Sequence, residues 1–151
     1  MLDLRSDTIT KPTTEMRKIM SDAEVGDDVW GDDPSVRALE ERTAEVLGME
    51  ASVYMPSGTM TNQVAVRTHT QPGDELLIEE HGHIYGSEAG GPAALSGVTT
   101  RLIKGKRGTF LKEDLEKMIR PTNEHHPRTT LICVENTCNR GGGTVWPLHQ
   151  L

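Results

Sequence analysis

Three short runs of this chain carry residue types that can bind or move charge. In Ser57-Gly58-Thr59, two hydroxyls flank a residue with no side chain, where the apolar run Val53-Tyr54-Met55 turns through Pro56 into a helical pattern. The unpaired N–H groups and the dipole at such a helix start attract a phosphate, and a glycine lets the backbone approach it closely. The same residue types also cap helices without any ligand, so the run alone reads both ways. His83, in His81-Gly82-His83, follows the apolar run Leu76-Leu77-Ile78. Open α/β sheets place ligands at that carboxyl edge. A flat imidazole there can stack on an aromatic ring, move a proton near neutral pH, or sit hydrogen-bonded at the surface. Glu135-Asn136-Thr137 directly follows Leu131-Ile132-Cys133-Val134 and brings polar groups to the same edge.

Other candidates lead elsewhere. His81, His83, His125 and His126 match no closed zinc spacing, and Cys138 stands too far along to complete one, so no metal is expected. Glu24, Asp27, Asp28, Asp32 and Asp33 surround Gly26, Gly31 and Trp30 without the ordered ligand spacing and distal glutamate of an EF-hand. That stretch reads as a solvated loop. The two cysteines make no disulfide framework, and Cys133, inside an apolar run, is expected to be reduced and buried.

The elements that would position these groups alternate in kind. Residues 11–23, with Pro12 near the start and Met16, Ile19 and Met20 on one stripe, form a short amphipathic helix. Asp33 caps a second helix with Pro34 in its first turn; Val36, Leu39, Thr43, Val46 and Leu47 share its apolar face, and Gly48 ends it. A strand at 53–55, a helix over 59–70, a break at Gln71-Pro72-Gly73-Asp74 and a strand at 76–78 make a βαβ-like unit. A third strand at 98–103, a helical stripe of Leu111, Leu115, Met118 and Ile119, and a fourth strand at 131–134 follow. Residues 147–151 look like the opening of another helix. Strands alternating with helices imply an α/β fold with a mainly parallel sheet. No internal repeat, low-complexity tract or dividing linker interrupts the 151 residues.

Composition removes several functional classes. With 34% apolar and 26% charged residues, the chain is neither a disordered segment nor a coiled coil. A net charge of −7, with no local run of lysine and arginine, would repel nucleic-acid phosphates and anionic lipid. Neither a nucleic acid nor a membrane is expected as a partner. Apolar runs are far shorter than the ~20 residues that span a bilayer. Asp3, Arg5 and Asp7 stand where a signal peptide has its apolar region, so the expected location is the cytoplasm.

Taken in order, Leu4-Arg5-Ser6-Asp7-Thr8, Gly26-Asp27-Asp28-Val29-Trp30-Gly31-Asp32-Asp33-Pro34, Pro56-Ser57-Gly58-Thr59-Met60-Thr61-Asn62, His83-Ile84-Tyr85 and Glu135-Asn136-Thr137 resemble the low-specificity L-threonine aldolases. The resemblance covers nearly the whole chain, and separated motifs in one order are far more specific than any one of them. They favour the ligand-binding readings of residues 57–59 and of His83. That family belongs with the fold-type I pyridoxal-phosphate enzymes. The resemblance therefore implies a large domain with a mainly parallel sheet, a smaller C-terminal domain, and active sites shared between subunits of a homo-oligomer, a dimer or tetramer. Residues 1–151 correspond to the N-terminal segment and first half of the large domain's sheet, with the small domain absent.

By position, the resemblance implies that Gly58 and Thr59 bind the phosphate of pyridoxal 5'-phosphate, with Asn62 in support. His83 would stack on the pyridine ring, and Ser6 would contact the substrate carboxylate. His125 would approach the substrate's hydroxyl side from a neighbouring subunit. The implied reaction, part of threonine catabolism and glycine biosynthesis, cleaves the Cα–Cβ bond of a β-hydroxy-α-amino acid. Threonine or allo-threonine yields glycine and acetaldehyde. His83 is the expected base, directly or through water, with His125 the second catalytic candidate. In the family the cofactor-bearing lysine, the aspartate on the pyridine nitrogen and the carboxylate-binding arginines lie beyond the point matching Leu151. None of Lys11, Lys18, Lys104, Lys106, Lys112 and Lys117 has a matching context. The chain alone is thus expected to be incomplete and inactive; a non-catalytic phosphate-ligand module or an inactive truncated relative is the alternative. Cys138 stands where some relatives carry histidine, and Trp30 where tyrosine is common.

Overall fold

Side-chain caps set the starts of the first three α-helices in the computed structural model, which describes residues 2–3 and 6–151. Two units, Met1–Tyr54 and Met55–Leu151, each hold together by their own contacts. In the first, the Ser6 hydroxyl accepts the Thr8 N–H at 3.3 Å and caps a 3-10 turn, Asp7–Ile9. Leu4 and Arg5, part of the same motif, lie outside the described residues. Helix α1 spans Thr14–Asp22. It begins later than residue 11 because the Thr13 hydroxyl, taking the Met16 N–H at 3.2 Å, marks the boundary. The Met16, Ile19 and Met20 stripe forms as expected and is exposed.

The acidic stretch is a loop with one 3-10 turn, Asp28–Trp30. It leads into α2, Pro34–Leu47, which keeps the expected cap, Pro34 in the first turn, and a terminating Gly48 at φ 64°. Asp33 is a structural carboxylate. Its oxygens accept Ser35 and Val36 N–H at 2.9 Å and Gly26 N–H at 3.1 Å. The Val36 N–H first, then those of Gly26 and Ser35, hold its carboxyl below the usual aspartate value.

Residues 53–55, expected as a strand, are not one. The Tyr54 N–H donates at 2.6 Å to Glu40 Oε1 on α2, and the Ser52 hydroxyl donates to the Glu40 carbonyl at 2.7 Å. With its amide held by a helix side chain, the run stays an extended link rather than joining a ladder.

In the second unit, α3 spans Gly58–His69, β1 Glu75–Glu79, α4 His83–Gly86, β2 Thr99–Ile103, α5 Lys112–Met118 and β3 Thr129–Cys133. A π-helical turn, Pro92–Ser96, lies between α4 and β2. The strand order is β2-β1-β3, with both pairings parallel as expected. The central strand is buried along its whole length, so Leu76-Leu77-Ile78 reads as a continuous apolar run rather than an alternating one. Val66 of α3 packs with Leu76, Ile78 and Val98, and Ile84, Leu102, Leu131 and Cys133 complete the cluster. Cys133 is only half-buried; the fully buried thiol is Cys138, which fills the space that Gly108 leaves by having no Cβ. Residues 148–150 form a 3-10 turn rather than an α-helix. Among the described residues no helix is long and apolar enough to cross a membrane.

The amino end of this sheet is closed by arginines. Asp74 takes the Gln71 N–H at 2.9 Å and Arg128 at 2.8 Å, and the Gln71 bond and then Arg128 keep its carboxyl below the ordinary range. Glu75, fully buried, meets Arg120 at 2.9 Å, the Thr129 hydroxyl at 3.0 Å and Arg101 at 3.9 Å.

Candidate active site

The opposite, carboxyl end of the sheet is built differently. Ser57 starts α3: its hydroxyl accepts the Met60 N–H and its carbonyl accepts the Thr61 N–H, each at 3.1 Å. Between them the Gly58 and Thr59 N–H groups and the Thr59 hydroxyl have no protein partner among the described residues. A Cβ on Gly58 would meet nothing within 4 Å, so the space in front of this exposed turn is open.

One turn further along α3, Asn62 and Gln63 point at a single buried carboxylate. Asn62 Nδ2 lies 2.6 Å from Glu88 Oε1, and Gln63 Nε2 lies 2.6 Å from Glu88 Oε2. His83, the first residue of α4, places its Nδ1 2.9 Å from the same Oε1. The Glu88 side chain is fully buried, whereas that of His83 is 42% exposed. His83 Nε2 has no partner among the described residues, and the side chain is partly open to solvent. The backbone of His83 is anchored separately, its N–H donating to Glu135 Oε2 at 2.6 Å while Glu135 Oε1 takes the Asn139 N–H at 3.3 Å. The motif after the last strand thus pins α4.

Two backbone details keep Glu88 inside. Ala89 adopts φ 52°, a left-handed conformation uncommon for a residue with a Cβ, and turns the chain directly after the carboxylate. At Gly91 a Cβ would meet the Gln63 amide at 2.5–2.7 Å, so a side chain there would displace that amide from its place beside Glu88. The nearby Cys138 thiol is pushed up first by burial and then by the Glu135 and Glu79 carboxylates, against a lowering by the Gly141 N–H. Burial alone raises the Cys133 thiol to about 11.

Of the residues singled out from sequence, Gly58, Thr59, Asn62 and His83 are brought together here, the last two through a shared oxygen. His125 is not among them. It lies in an exposed loop, its N–H on Asn123 Oδ1 at 2.8 Å and its Nε2 3.5 Å from Glu124. Ser6 belongs to the first unit, where it caps a turn. Glu88 and Gln63 escaped the sequence reading. Their signals were slight: a lone glutamate in Gly86-Ser87-Glu88-Ala89-Gly90-Gly91, and a glutamine one turn before Val66 on the buried side of α3. Of the four histidines weighed as metal ligands, His81 alone falls in a ligand-like group among the described residues, with Glu79 and Glu80.

The fold of this chain is similar to that of a crystal structure from Exiguobacterium sp. 255-15. That protein is provisionally named an aromatic amino acid beta-eliminating lyase/threonine aldolase. The match has a TM-score of 0.68 at 22% identity and covers 93% of this chain and 39% of that one. The chain therefore shares the fold of that structure. More narrowly, the beta-eliminating lyase family model matches residues 3–151, and the chain belongs to that family. The expected likeness to low-specificity L-threonine aldolases is borne out. The chain is 41% identical to the low specificity L-threonine aldolase of Escherichia coli strain K12, covering 100% of this chain and 45% of that protein. It is 43% identical to low-specificity L-threonine aldolase 1 of Arabidopsis thaliana, covering 94% of this chain and 41% of the relative. An uncharacterized Caenorhabditis elegans protein, R102.4, is 43% identical over 99% of this chain and 37% of its own length. The chain spans less than half the length of each of these curated relatives.

Proposed function

We propose that this chain forms the N-terminal part of a pyridoxal-phosphate-dependent carbon–carbon lyase. Its substrates would be β-hydroxy-α-amino acids such as threonine and allo-threonine, cleaved to glycine and acetaldehyde. One observation carries the reading. Asn62 and His83, from separate elements, meet on one buried carboxylate a single turn from two unpartnered N–H groups. The aldolase names of the relatives agree with it.

The donor set fits a phosphate-bearing cofactor. The free N–H groups of Gly58 and Thr59 and the Thr59 hydroxyl surround open space at the positive end of a 12-residue helix. These groups would hold the phosphate, Asn62 would brace the turn, and the His83 ring would lie against the pyridine. When bound, the pyridoxal ring supplies an acceptor for the electron pair released as the Cα–Cβ bond breaks. The chain's own contribution is the proton: His83 Nε2, unpartnered among the described residues, takes it from the β-hydroxyl directly or through one water. Ser6 is assigned to the substrate carboxylate and His125 to the hydroxyl side from a neighbouring subunit. The cofactor-bearing lysine, the pyridine-nitrogen aspartate and the carboxylate arginines would come from polypeptide beyond these residues. The assembly would be a cytoplasmic homo-oligomer, a dimer or tetramer.

The test uses the longest natural polypeptide that carries this sequence. With pyridoxal phosphate and L-allo-threonine or L-threonine it should release equimolar glycine and acetaldehyde. Tight cofactor binding without either product would favour a non-catalytic phosphate-ligand module instead.

A further inference from the structure

We infer that Glu88 is a positioning residue that fixes His83 as its Nδ1–H tautomer and so leaves Nε2 as the unprotonated acceptor. The catalytic consequence rests on the lyase reading above; the tautomer itself does not.

The argument is a count of donors and acceptors. A carboxylate only accepts, whereas a neutral imidazole carries one donor and one acceptor nitrogen. Glu88 faces the Asn62 amide, the Gln63 amide and His83 Nδ1 at 2.6, 2.6 and 2.9 Å. An ionised Glu88 can only accept at each of these contacts, so the imidazole nitrogen completing the set presents N–H as the two amides do. Which ring nitrogen holds the proton is set by the bond the other one makes, and Nε2 makes none among the described residues. With its side chain fully buried, Glu88 has no water to satisfy it if His83 turns away. The Glu135 contact on the His83 N–H holds the backbone from which the ring projects.

The structure also indicates which substitution should be tolerated. Gln63 Oε1 is buried with no partner. In Glu88→Gln, the new amide can keep its oxygen toward Asn62 and His83 and turn its NH2 toward Gln63. A half-turn of the Gln63 amide then supplies the oxygen that is now unused. This variant removes the charge but retains the acceptor, while Glu88→Met removes both.

The experiment reads the ring nitrogens of His83 by long-range nitrogen–proton NMR of the histidine-labelled chain, assigned by comparison with His83→Phe. In the wild type Nδ1 should be pyrrole-like and Nε2 pyridine-like at pH above the histidine titration; the reverse pattern overturns the inference. In Glu88→Met the Nδ1–H form should fall from the major to the minor species. An unchanged pattern there overturns it equally. Should Glu88→Met fail to fold, Glu88→Asp, which withdraws the acceptor by one methylene, is read by the same criterion. In the longest natural polypeptide, Glu88→Met should lower kcat by ~10²-fold or more with little change in KM, and Glu88→Gln should recover to within about tenfold of wild type. Absence of turnover in every protein, wild type included, would remove the lyase reading and leave the tautomer result standing.

Discussion

The two ends of the parallel sheet handle their carboxylates in opposite ways. At the amino end Asp74 and Glu75 each meet guanidinium groups, from Arg128 and from Arg120 and Arg101. At the carboxyl end Glu88 and Glu135 are met by amides, backbone N–H groups and an imidazole, and among the described residues no lysine or arginine pairs with either. Guanidinium pairing neutralises a buried charge permanently and welds neighbouring strands. An imidazole partner leaves a second ring nitrogen that can hold or pass a proton. The contrast separates an end held by ion pairs from the end to which the proposed reaction is assigned.

The largest expected effect tests the carboxyl end. In the longest natural polypeptide, His83→Phe keeps a flat ring but deletes the nitrogen, so turnover on allo-threonine should fall by ~10²–10⁴-fold while cofactor affinity changes little. Near-normal turnover would transfer the base to water or to His125 and reduce the comparison to packing. At the amino end, Arg120→Met leaves Glu75 buried with its closest charged partner gone. A urea melt of the chain should show a loss of about 3 kcal/mol, the low end for breaking a buried ion pair. A loss below about 0.5 kcal/mol would mean that Arg101 and Thr129 suffice to hold Glu75.

A smaller effect is expected at the start of α3. Thr59→Val preserves the side chain's shape but removes a hydrogen bond to a charged phosphate, at a cost of roughly 1.5–3 kcal/mol. The dissociation constant for pyridoxal phosphate should rise about tenfold or more; an unchanged constant would make Thr59 a plain helix residue.

Acid sensitivity sharpens the comparison further. Asp33 and Asp74 both titrate below their ordinary value of 3.8 when folded, so each binds fewer protons folded than unfolded. The stability they add is present above pH 3.8 and is lost as pH falls through the depressed folded values. Thermal melts from pH 5 down to 2 should therefore show a shallower acid decline in Asp74→Asn than in wild type. Equal slopes would show that the Arg128 and Gln71 contacts do not persist in solution. The smallest effect concerns the thiols. With Cys133 raised to about 11 and Cys138 also raised, iodoacetamide at pH 8 should label neither in the folded chain and both in urea. Rapid labelling of Cys138 without denaturant would mean that the carboxyl end opens.

Local chemistry made much of this molecule legible in its sequence. The bounds of α2 follow from Asp33, Pro34 and Gly48, because caps and left-handed ends are satisfied within one helical turn. The central strand follows from an apolar run that only a strand buried on both faces would carry. Ser57 as the first cap of α3 and His83 just past the strand were readable for the same reason. Tertiary structure decided the rest, wherever a polar group's partner lies far along the chain. Residues 53–55 have a strand's composition, but the Tyr54 amide is captured by a glutamate 14 residues earlier. Cys133 has the more apolar neighbours in sequence, yet Cys138 is the one sealed in, because Gly108 brings a distant loop against it. Glu88 reads as a surface charge among glycines until α3 delivers Asn62 and Gln63 from 26 and 25 positions away and α4 delivers His83. Burying a carboxylate is unfavourable until all its donors arrive together, and periodicity along one segment carries no information about donors on another.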